Sequence, residues 1–113
     1  MSNKKEESTD PIPLATSRNL SNNLYDKRKL GALEVEQLIR ELHANDDQAG
    51  ISTVIAHLNN EFVQSSNGNA KKGGLIAFAA VAIGLGAATA GFVEQLLPPV
   101  LSCFSDQVGS RLL

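Results

Sequence analysis

Between Lys72 and Glu94 the chain carries 21 residues without a charge, GGLIAFAAVAIGLGAATAGFV, five of them Gly and seven Ala. No other segment has this character. A helix of that length would just span a bilayer at ~1.5 Å per residue. Its large apolar residues (Leu75, Ile76, Phe78, Val81, Ile83, Leu85, Phe92, Val93) supply only about −2 to −5 kcal/mol of insertion energy. The glycines and Thr89 count against even that, and Gly84 and Gly86 should break a helix near its middle. On a helical wheel Ile76 and Ile83 fall on one side and Phe78, Val81 and Leu85 on the other, with Ala77, Ala79, Ala80 and Ala82 between them. A helix apolar all round is buried in a core or in lipid. Two large-residue stripes separated by alanines suit a helix held between packed neighbours. The expectation is therefore a buried helix; the alternative is a small single-pass membrane protein anchored by residues 73–93.

A dinucleotide site also suggests itself, because AFAAVAIGLGAATAG could be a strand entering a glycine turn, with Asp106 about twenty residues on. Thr89 stands where the third glycine belongs, and only 27 residues follow Gly86, too few for a doubly wound sheet. This reading fails.

The 113 residues fit one small domain, and 4% aromatic content with abundant Ala and Leu suggests a helical one. Lys+Arg 10 against Asp+Glu 12 argues against a nucleic-acid module. One cysteine, Cys103, permits no internal disulfide and suits a reducing compartment. The start MSNKKEESTD has no apolar secretory core, and Ser2 replaces the glycine that myristoylation needs.

Residues 1–13 are polar, charged and closed by two prolines, which predicts a disordered lead-in ahead of a helical unit over 14–113. A weak helix signal covers Leu14 to Asp26, with Leu20, Leu24 and Tyr25 along one side. In the stronger segment Lys27 to His43, Val35, Leu38, Ile39 and Leu42 stand at i, i+3, i+4 and i+7. Gly31 and Ala32 extend that face by close approach, and Glu36 can pair with Arg40. Asn45-Asp46-Asp47 forms a turn and supplies the next N-cap. Ile51, Val54, Ile55, Leu58 and Phe62 repeat the helical spacing, and Ser65 to Asn69 reads as a loop. After the central segment, Val93, Leu96, Leu97, Val100, Leu101 and Phe104 form a last stripe. Pro98 and Pro99 lie inside it, so that helix should kink or restart. Paired helices every ~35–40 residues are the pattern of stacked helical hairpins.

Chemistry is sparse. His43, His57 and Cys103 have no zinc-site spacing, and Glu34 and Glu36 point to different helix faces. No nucleophile elbow or P-loop is present. No catalytic residue, metal or cofactor is expected. Lys71 and Lys72 are the most suggestive polar pair: before a helix N-terminus with free amides they could hold an anion, or simply solvate a loop.

The blocks RNLSNNLYDKRKLGALEVEQLIREL, VIAHLNNEFVQS, KKGGLIAFAAVAIGLG and LLPPVLSCFSD closely resemble the N-terminal part of the Vac-fourteen family of HEAT-repeat scaffolds. The resemblance covers roughly residues 18–106. It implies an all-α, HEAT-like solenoid of stacked antiparallel hairpins. It also implies a non-enzymatic scaffold binding a phosphatidylinositol-3-phosphate 5-kinase of the PIKfyve type. Such scaffolds act peripherally on endosome and vacuole membranes, in phosphatidylinositol 3,5-bisphosphate synthesis. Family contacts with a Sac-domain phosphatase are implied only for parts this chain lacks. The chain departs from the family pattern at AATAG after the GLG turn, and DQVGSRLL offers only Arg111 to match a basic helix. The last hairpin is thus expected to be incomplete, leaving an apolar stripe open to a partner or to self-association. Lys71, Lys72, Leu97, Val100, Leu101 and Phe104 are the candidate partner-binding residues.

Overall fold

The computed structural model describes the backbone of residues 10–112 and the side chains of residues 10–103. The first nine residues of the expected lead-in lie outside the described residues. The fold is all-α: α1 (Leu14–Leu20), α2 (Tyr25–Ala44), α3 (Gln48–Leu58), α4 (Gly68–Leu85) and α5 (Val93–Leu112). Asn59–Val63 continues α3 as a π-turn, and a 3-10 segment, Gly86–Phe92, joins α4 to α5. Short connections make successive helices antiparallel hairpins. The hairpins stack α2 against α4 and, more lightly, α3 against α5.

The apolar spacing accounts for most of the core. Ile51, Val54, Ile55, Leu58 and Phe62 are all buried, as are Val35 and Ile39, while Leu38 and Leu42 pack against its edge. The π-turn explains why the consecutive residues Phe62 and Val63 can both point inward: the Gln64 amide bonds the Asn59 carbonyl five residues back, shifting the helical phase. Asp47 Oδ1 accepts from the Gly50 amide at 2.9 Å and caps α3. Glu36 and Arg40 form the expected surface pair at 2.7 Å.

Three expectations change. The weak helix over 14–26 is really α1 followed by a turn, and Leu24 and Tyr25 are exposed at the start of α2. Leu20 alone of that side is buried, against Gly31. α1 is tied down instead by Glu34, which accepts from Thr16 Oγ1 at 2.9 Å and Asn19 Nδ2 at 3.3 Å. Within the supposed lead-in, Ile12 is 2% exposed and belongs to the core. Of the kink or restart expected at Pro98 and Pro99, the restart does not occur: one helix runs through both prolines. Their missing amides free the carbonyls of Glu94 and Gln95, two exposed residues.

α4 is where the uncharged stretch resolves. It runs through Gly84 and ends at Leu85, where Gly86 takes a positive φ (+58°) that glycine tolerates without a Cβ clash. Gly84 is therefore not a breaker. A Cβ there would lie 3.1 Å from the Glu36 carbonyl oxygen and from Ile39 Cγ2, so it lets α4 approach α2. Gly74 meets Phe62 and Val63 in the same way at 2.8 Å, and a Cβ on Gly73 would overlap the Leu20 carbonyl. Gly68–Cys103 is long enough to cross a membrane and contains an 18-residue window of mean hydropathy 2.1, apolar enough to do so. In the fold it is bent at Gly86, and its glycine face is covered by α1, α2 and the π-turn.

Candidate partner-binding groove

α4 begins at Gly68, not after the lysines. Asn67 caps it, its Oδ1 accepting from the Ala70 amide at 3.0 Å while its carbonyl accepts from the Lys71 amide at 3.0 Å. Lys71 and Lys72 therefore sit in the second turn, beyond the free amides of the helix start, and the arrangement expected for an N-terminal anion site is absent from this pair. Lys71 is half-buried and Lys72 exposed. Arg28, buried nearby, donates through Nη1 to the Asn22 carbonyl at 2.9 Å and to Asn69 Oδ1 at 3.4 Å. It lies over the Tyr25 ring, 5.9 Å from its centre. Glu36–Arg40 is the one ion pair among the described residues, so these three cations at the head of α4 have no carboxylate partner there.

From that end an open apolar groove of about 550 Å³ runs between α4 and α5. Its α4 wall is Leu75, Phe78, Ala79 and Ala82; its α5 wall is Val93, Leu96, Leu97 and Val100, closed at one end by Thr89. Lys71 and Lys72 do not line the groove; they stand four and three residues before Leu75, one turn beyond the end of its α4 wall. Thr89 Oγ1 donates to the Ala82 carbonyl at 3.0 Å, so the groove's one side-chain hydroxyl is already occupied.

The candidate residues are thus partly brought together. Leu97, 47% exposed, and Val100 line the groove; Leu101, 52% exposed, faces solvent outside it. The Phe104 side chain lies outside the described residues. The wall that sequence reasoning missed is the α4 side. Phe78 is core as expected and Leu75 packs against it, but both also line the groove beside Ala79 and Ala82, and nothing in a linear pattern reveals that α5 splays from α4. His43 and His57 line two other clefts, and Cys103 is buried with Sγ 3.9 Å from the Val63 carbonyl.

The chain is 49% identical over 96 residues to "Protein VAC14 homolog" of Arabidopsis thaliana, a match covering 85% of this chain and 13% of that protein. Against "Protein VAC14 homolog" of Schizosaccharomyces pombe it is 46% identical over 91 residues, 79% of this chain and 11% of the relative. "Vacuole morphology and inheritance protein 14" of Saccharomyces cerevisiae is 38% identical over 93 residues, 80% of this chain and 11% of the relative. The chain belongs to the VAC14 family. It spans 11% to 13% of the length of these VAC14 relatives. A family model described as "Vacuolar 14 Fab1-binding region" matches residues 69–111, from the first turn of α4 almost to the end of α5. Every residue lining the groove falls inside that VAC14 region. No solved structure matches the chain significantly.

Proposed function

We propose that the chain is a non-enzymatic scaffold piece that binds a phosphatidylinositol-3-phosphate 5-kinase of the Fab1 or PIKfyve type through α4 and α5. The observation that carries this reading is the coincidence of the family's Fab1-binding region, residues 69–111, with the exposed apolar groove. Monomeric domains rarely leave a contiguous apolar surface of this kind unless something docks there. The family description names a binding region, which favours a regulatory over a catalytic role. The finer reading is HEAT-like repeats working peripherally on vacuole or endosome membranes, within the assembly that makes phosphatidylinositol 3,5-bisphosphate. It is supported by the vacuolar name of the budding-yeast relative and by the stacked hairpins. Sac-domain phosphatase binding belongs, in this reading, to other parts of the family's length.

Purified chain immobilised on resin and incubated with purified Fab1-type kinase is the test. Retention of the kinase well above a resin-only control is expected. Background-level retention at micromolar concentrations of both proteins contradicts the proposal.

A further inference from the structure

We infer that the groove between α4 and α5 receives the apolar face of one short amphipathic helix of the kinase, with acidic side chains at the end beside Lys71 and Lys72. This rests on the kinase-binding reading above.

The shape fixes the length. Leu75 to Ala82 and Val93 to Val100 are eight residues each, so seven rises of 1.5 Å make each wall about 10 Å, or two turns. That accommodates three side chains at i, i+4 and i+7, the usual anchors of a helix laid in a groove. The small side chains of Ala79 and Ala82 leave room for large ones from the partner. The chemistry fixes the secondary structure. An extended peptide brings unpaired amides that need donors and acceptors along its track. This groove's only side-chain hydroxyl is already bonded to Ala82, and its other lining side chains are hydrocarbon. A helix satisfies most of its own backbone groups and can lie there without needing donors or acceptors along the groove.

Charge fixes the orientation. Lys71 and Lys72, in the second turn of α4, have no ion-pair partner among the described residues, so no carboxylate there accounts for them. With Arg28 against Asn69, they make the head of α4 electropositive and uncompensated among the described residues. An occupant with carboxylates at that end answers both the apolar track and the charge.

The experiment is surface plasmon resonance of the whole chain against the whole kinase, with three variants. Ala79→Glu sets a carboxylate on an exposed wall position and should weaken binding roughly 30-fold or more, the scale of a central hot spot. Lys71→Glu with Lys72→Glu should weaken it several-fold, chiefly in association rate and less so at high salt, roughly as expected for rim charges. Ile83→Glu, 60% exposed on α4 but outside the groove, should bind like the parent. Circular dichroism of each variant should match the parent. If the parent binds and Ala79→Glu binds equally well, the groove is not the site, although the kinase-binding reading stands. If the parent itself does not bind, that reading falls and this inference with it. A concentration-dependent dimer in sedimentation velocity that Ala79→Glu abolishes would assign the groove to a second copy and overturn the kinase helix.

Discussion

On the side of α4 that meets α1 and α2, Gly73, Ala77 and Gly84 are buried and leave no room for a larger side chain at the glycines; on the side that meets α5, Ala79 and Ala82 floor an open groove. The same class of small residue thus has opposite consequences on two faces of one helix. Where a rigid neighbour of fitting shape is present, the absence of a side chain lets backbones close together. Where the neighbour splays away behind the Gly86–Phe92 connector, the same absence leaves an open cavity that larger side chains could fill. Small residues report close packing only when the neighbour's direction is known.

The closed face should be the easier to break. Gly73→Ala places a methyl onto the Leu20 carbonyl, where backbone rather than a flexible tip must yield. Better helix propensity returns about 1 kcal/mol, yet overpacking against backbone should leave a net loss of roughly 2–3 kcal/mol. That corresponds to a melting temperature lower by about 10–20 °C for a domain of this size, measured by thermal circular dichroism. Gly84→Ala tests the same face more gently. Its Cβ would stand 3.1 Å from the Glu36 carbonyl oxygen and Ile39, a misfit of a few tenths of an ångström that the propensity gain nearly offsets. The expected change is within about 1 kcal/mol in urea unfolding. Ala79→Leu on the open face should be the most benign, within about 0.5 kcal/mol, because the added carbons enter empty groove. A loss there as large as that of Gly73→Ala would mean the two faces are packed alike.

The helices α2 and α3 were legible in the sequence because their large residues repeat at helical spacing and only one face of each is buried. Val35 and Ile39, and Ile51 through Phe62, needed no knowledge of their partners. Ile12 was not legible, because a lone isoleucine between two prolines reads as loop and its burial depends on what folds over it. The use of Gly84 as a contact rather than a break was hidden for the same reason: propensity registers the cost of glycine, and only tertiary structure registers the space it opens. Of the candidate site, the α5 stripe was visible as unpaired hydrophobicity and Lys71 and Lys72 as a charge pair. The groove between that stripe and α4 was not, since it depends on the angle between α4 and α5, which no residue pattern encodes.

Photo-cross-linking from the two faces of α4 tests most directly that the open one is where a partner docks. A benzophenone amino acid placed at position 79, in the groove, or at position 83, exposed but outside it, leaves the α2 contact untouched. On irradiation with the Fab1-type kinase, position 79 should yield a covalent adduct mapping to one short apolar helix, and position 83 should yield none. Adducts from position 83 alone, or equally from both, would contradict the account.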